Sequence, residues 1–211
     1  MIRLLVVDDH AAVRAGLIGL LRREPGLVPL GAVGSVDEAL REARSLEPQV
    51  ALIDFQLPDG DGLTLCRELK LLPTPPRVVI YSAFARPALA VAATLAGADG
   101  LVDKGVEVDD LFDAIRAVGR GEQALPHLEP EMVARCTARL DPDDVSIFGM
   151  LMSGTARADV AAVLSSDEHT VEDRLRAMLG DLLSESATMR SPDDARAAAA
   201  PPPPRPPSAL S

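Results

Sequence analysis

The stretch IRLLVVDDH, residues 2–10, decides the reading of this chain. An almost unbroken apolar run over 2–7 ends in two adjacent carboxylates, Asp8 and Asp9. The pattern returns twice: an apolar run over 50–53 ends in Asp54, and a shorter one over 101–102 is followed by Lys104. Short apolar runs between turn signals read as strands buried on both faces of a parallel sheet. Such sheets bind ligands outside the carboxyl ends of their strands, so all four charged groups are expected to converge on one site. Three acids together repel one another unless a cation neutralises them. Mg²⁺, with its preference for carboxylate, carbonyl and water oxygens, suits them, and Lys104 adds a positive charge for an incoming anion.

Around these runs, residues 1–120 alternate strand and helix signals. Strands are predicted over 2–7, 27–33, 50–53, 78–81 and 100–102, with Pro29 weakening the second. Helices are predicted over 11–21, 35–46, 63–72, 87–96 and 109–118; Ser35 and Glu38 form a capping box at the start of the second. Residues 57–62 read as a loop. Five strands with five helices make a doubly wound α/β domain. Residues 121–139 read as a linker with a short helix, and residues 140–186 as a small all-α domain with helices over 142–152, 157–164 and 170–183. Residues 187–211, with the Ala run 197–200 and prolines over 201–207, read as a disordered tail of polyproline character.

Composition narrows the class. Aromatic residues are only 2% of the chain, so the core must be built from Leu, Val, Ile and Ala. No stretch approaches the roughly 18 consecutive apolar residues of a membrane span, and no charged leader precedes the first strand. Cys66 and Cys136, far apart and without CxxC spacing, read as reduced packing residues of a cytoplasmic protein. The net charge of −11 is unevenly spread: −4 over 1–120, −1 over 121–139, −7 over 140–186 and +1 over 187–211.

Four ordered motifs, VVDDH (6–10), LIDFQLPDGDG (52–62), VVIYSA (78–83) and GADGLVDKG (97–105), resemble a response-regulator receiver domain of two-component signalling. The His after the acid pair and the GADG before the lysine resemble the NarL/FixJ branch, whose C-terminal domain is a LuxR-type helix-turn-helix. The resemblance implies a flavodoxin-like receiver that takes a phosphoryl group on Asp54 from a sensor histidine kinase. It also implies Mg²⁺ held by Asp9 and Asp54, by Asp8 through water, and by the Gln56 backbone carbonyl. Lys104 and Ser82 would contact phosphate oxygens, and Ala83 would leave room for the phosphoryl group. The protein would then be a cytoplasmic homodimer rather than an enzyme, catalysing only its own phosphotransfer and dephosphorylation. Two positions depart from the family pattern. Leu101 stands where many receivers carry a switch aromatic. Phe84 stands near the approach of hydrolytic water, where it is expected to lengthen the phosphorylated lifetime.

The output region resembles the helix-turn-helix through Leu140-Asp141-Pro142, Gly154, Asp159-Val160-Ala161 and Thr170-Val171. Its DNA-contacting candidates are Thr170, Arg174 and Arg176. Glu172 stands where the family usually has Lys, and ten acids face three bases over 140–186. DNA affinity rests largely on Lys and Arg neutralising phosphates. Two outputs therefore stay open: a DNA-binding transcription regulator, or an acidic helical module that binds protein or serves as a phosphate sink. A metal-dependent phosphatase built on Asp8 and Asp9 lacks the Asp-x-Asp nucleophile motif at the first strand.

Overall fold

The computed structural model describes residues 1–83, 85 and 87–188, of which 184–188 by backbone alone. Phe84 and the tail from 189 onward, both singled out above, lie outside the described residues.

Apolar runs become five parallel strands: β1 (Ile2–Val7), β2 (Leu27–Val33), β3 (Val50–Asp54), β6 (Arg77–Ser82) and β7 (Gly100–Asp103). They lie in the order β2-β1-β3-β6-β7. Pro29 is accommodated because β2 is an edge strand, and the register with β1 shifts between Leu4 and Leu5. The strand order reverses at β1 and β3, so a crevice opens where Asp8 and Asp54 emerge.

Helices α1 (Ala11–Leu21) and α5 (Val108–Gly119) cover one face of the sheet. Helices α2 (Val36–Leu46), α3 (Gly62–Lys70) and α4 (Pro87–Ala96) cover the other. Ser35 caps α2 as the sequence predicts, its Oγ accepting from the Glu38 backbone N–H at 3.3 Å, while Glu38 reaches one residue beyond the predicted box and accepts from the Gly34 N–H at 3.0 Å. The stretch 57–62, read as a loop, contains instead a small antiparallel pair, β4 (Gln56–Leu57) with β5 (Gly60–Asp61). Asp61 then caps α3, accepting from the N–H groups of Leu63 and Thr64, both at 2.9 Å.

The C-terminal region forms α6 (Pro130–Thr137), α7 (Pro142–Met152), α8 (Arg157–Val163) and α9 (Glu168–Thr188). The last of these begins earlier than the predicted residue 170 and runs past the predicted residue 183. These helices pack onto the receiver side. From residue 89 to 96, every residue of α4 except Thr94 is buried, because the sheet covers one flank and α9, α7 and α6 the other. One continuous apolar cluster runs from Leu63, Leu65 and Leu69 of α3 through α4 to Val171, Leu175, Met178 and Leu182 of α9. The stretch after α5 is also tied down. Ala124 bridges Gly100, its carbonyl accepting from the Leu101 N–H at 3.0 Å and its N–H donating to the Asp99 carbonyl at 2.8 Å.

Candidate functional site

At the carboxyl ends of β1, β3 and β7 the acids and the lysine meet. Asp8 and Asp54 are buried, 1% and 6% exposed, although isolated carboxylates strongly resist leaving water. Lys104 offsets that cost: its ammonium donates to Asp54 Oδ2 at 2.7 Å and to Asp8 Oδ2 at 2.8 Å. Asp8 is fixed further, since its Oδ1 accepts from the His10 N–H at 2.8 Å and its carbonyl from Arg14 Nη1 at 2.5 Å. Asp9 is exposed at the rim, with His10 Nδ1 2.5 Å from its Oδ1.

Burial pushes the Asp54 carboxyl above the ordinary carboxylate range; the Lys104 hydrogen bond offsets only part of this, and the Asp8 charge adds to it. For Lys104, burial works against the charged form. The hydrogen bonds to Asp54 and Asp8 outweigh it, and the ammonium ends above its usual value. One ammonium thus stands among three carboxyl groups, those of Asp8, Asp9 and Asp54. The ligand atoms of these three acids and of His10 all lie within 4.8 Å of one another. A hard oxygen donor set with excess negative charge fits a divalent cation of the Mg²⁺ type.

The raised carboxyl has a consequence for stability. A group whose folded value is raised holds its proton more tightly in the folded state. Its stabilising contribution is complete below the ordinary carboxylate range and is lost as pH rises through the folded value. Ionised Asp54 is therefore a burden at neutral pH. In metal-free buffer Asp54→Asn is expected to melt above the parent at pH 7, by about 1 kcal/mol, and the difference should shrink as the pH falls. Equal melting curves across that range would contradict this electrostatic account.

Gln56 and Ser82 are placed by the strands around Asp54. The Gln56 N–H lies 3.4 Å from Asp54 Oδ1. Ser82 is buried at the end of β6, and its carbonyl accepts from the Lys104 N–H at 2.9 Å. Gly62 matters through close approach: a Cβ there would lie 2.5 Å from the Asp54 carbonyl oxygen and 3.0 Å from Phe55 Cα. Gly62→Ala should cost about 2 kcal/mol by overpacking and displace Asp54. Urea melts check the first effect, and backbone amide shifts at Asp54 the second.

The sequence reading missed two neighbours of this site. Arg14 could not be assigned from a pattern, and Tyr81 reads simply as a strand residue. Yet the Tyr81 ring lies against Lys104, its centroid 5.4 Å from Nζ.

The DNA-contact candidates are all engaged by neighbouring acids. Arg174 Nη1 pairs with Asp144 at 2.6 Å, and Arg176 Nη1 with Asp173 at 2.8 Å. Thr170 is engaged with Asp167, which accepts from its N–H at 2.8 Å and from its hydroxyl at 3.1 Å. Much of the acid excess thus has internal work, including Asp141, which caps α7. Glu172 faces the receiver side: it accepts from Arg67 of α3 through Nε at 2.7 Å and through Nη2, and lies 3.3 Å from Arg157 Nη1. Arg67 is only 3% exposed. Arg157 also donates to the Ala96 carbonyl at the end of α4, at 3.3 Å.

A parallel five-stranded sheet with acids and a lysine at its carboxyl edge, followed by four packed helices, has counterparts among known proteins. Residues 4–116 match the response regulator receiver domain. The DNA-binding transcriptional activator DevR/DosR of Mycobacterium tuberculosis is 31% identical over 198 residues, spanning 89% of this chain and 91% of that protein. The nitrate/nitrite response regulator protein NarL of Escherichia coli K12 is 27% identical over 187 residues, 83% and 87% of the two chains. A solved LuxR-family two-component response regulator from Aurantimonas superposes with a TM-score of 0.57 at 30% identity, over 64% of this chain and 94% of that one. The chain belongs to the response-regulator receiver family, within the NarL/LuxR-type group. Among the described residues no helix is long and apolar enough to cross a membrane.

Proposed function

We propose that this chain is a phosphorylation-controlled transcription regulator. Residues 1–120 act as receiver, 121–139 as linker and 140–186 as DNA-binding output. The observation that carries the reading is the convergence of buried Asp8 and Asp54 on Lys104 at the carboxyl edge of the sheet. DNA as the output's ligand is supported by the likeness to a relative named as a DNA-binding transcriptional activator.

Asp54 is the nucleophile. In its ionised form one carboxylate oxygen attacks phosphorus, an O–P bond forms, and the bond to the leaving group of the donor breaks. With a sensor kinase that leaving group is the imidazole of a phosphohistidine; with acetyl phosphate it is acetate. Asp8, Asp9 and Asp54, with the Gln56 carbonyl, would hold Mg²⁺, which supplies positive charge against the phosphoryl oxygens. Lys104 is already within hydrogen-bond distance of Asp54 and is placed to pair with a phosphoryl oxygen there. The Ser82 hydroxyl donates to another.

In the described arrangement α9 is packed on α4, and its two arginines are neutralised by neighbouring acids. DNA contact would require α9 to leave α4. The phosphorylated form is proposed to act as a homodimer, which sedimentation with and without acetyl phosphate checks. Incubation of the full chain with acetyl phosphate and Mg²⁺, followed by intact mass, tests the receiver reading. One added phosphoryl group, lost on treatment with hydroxylamine, is expected of an acyl phosphate; an unchanged mass would contradict it.

A further inference from the structure

The chain has one tyrosine and no tryptophan, and that tyrosine lies beside the site. Tyr81 of β6 is the register partner of Asp54 in β3 and of Val102 in β7. Side chains alternate along a strand. Val79 and Tyr81 accordingly fall on the side of the sheet under α1 and α5, and Val78 and Ile80 on the side under α4. By the same alternation Asp54 falls with Leu52, on the side of Tyr81. The ring is partly buried against the cluster that holds Leu111, Phe112 and Ile115 of α5. Its face looks onto the Lys104 ammonium, 5.4 Å from the centroid.

Leu101, which stands in place of an aromatic, belongs to the opposite cluster, under α4. That side is occupied by the output helices. The aromatic group in contact with the site's lysine therefore lies on the other face of the sheet, toward α5.

We propose that Tyr81 is a positioning residue for Lys104 and the group that carries the state of Asp54 to α5. This rests on the reading of Asp54 as phosphoacceptor. An ammonium over an aromatic face is attracted by the ring quadrupole, so Lys104 is held by Asp8, Asp54 and the ring together. When Asp54 gains a phosphoryl group, the ammonium follows the added negative charge. The ring then changes its cation partner and its packing on α5.

The test uses the full chain, acetyl phosphate and Mg²⁺. Tyrosine emission reports Tyr81 alone, and it is expected to change with the same time course as phosphate incorporation measured by intact mass. Tyr81→Phe keeps the ring face and should be phosphorylated at the parent rate. Tyr81→Leu keeps apolar bulk but loses the quadrupole, and should be slower by about 2- to 5-fold. Rescue by Phe but not Leu separates lysine positioning from mere filling of space. Incorporation with unchanged emission would overturn the proposal, as would Leu and Phe variants of equal rate. If the parent takes no phosphate at all, the Asp54 reading itself has failed.

Discussion

Asp54→Asn is expected to abolish phosphate incorporation from acetyl phosphate while leaving the fold intact. Asparagine has the shape of the aspartate but lacks the anionic oxygen that attacks phosphorus. The pH dependence carries the same signature. Burial raises the Asp54 carboxyl in the metal-free site; bound Mg²⁺ would counter that rise, and in either case the reactive ionised fraction falls as acid is added. The rate of incorporation should fall with it, whereas the contribution of this group to stability runs the other way. Persistent incorporation in Asp54→Asn would move the phosphoacceptor elsewhere.

The second large effect is expected at the seam between receiver and output. Glu172→Lys should release α9 from α4. Glu172 is the anion between Arg67, almost fully buried, and Arg157. A lysine there would gather three cations in a poorly solvated place. Breaking such a pair costs about 3–5 kcal/mol, about a hundredfold or more in the ratio of docked to undocked forms. Small-angle scattering should show a larger radius of gyration, and limited proteolysis should cut faster in the stretch after Ala124. The charge swap Arg67→Glu with Glu172→Lys should restore much of the docking. Unchanged scattering and cleavage in the single variant would mean that the apolar contact of α4 with α9 suffices alone.

How much of this could be read from the sequence depended on the range of the interactions. Asp8, Asp54 and Lys104 were legible because apolar runs fix strand ends, and a parallel sheet gathers those ends on one edge. The Ser35–Glu38 box was legible because capping is local. The pair Gln56–Leu57 with Gly60–Asp61 was not, since two-residue strands carry no periodicity. Arg67 and Glu172 are 105 positions apart, and no local pattern links them. The helix PALAVAATLA is apolar all round, and such a helix must be covered on both flanks, which already implied that something packs on α4. The acid excess over 140–186 pointed toward repulsion of DNA. Much of it answers Arg67, Arg157, Arg174 and Arg176, or caps α7 and α9.

The most direct test of the central claim, that the state of Asp54 controls an α9-based DNA output, is fluorescence anisotropy of labelled duplex DNA titrated with the full chain at low salt. Parent and Asp54→Asn would be compared with and without acetyl phosphate and Mg²⁺. The account predicts that phosphorylation tightens binding by about tenfold or more, that the gain weakens steeply with added salt, and that Asp54→Asn shows none of it. Binding that is equal in all four conditions, or absent from the phosphorylated parent, would contradict it.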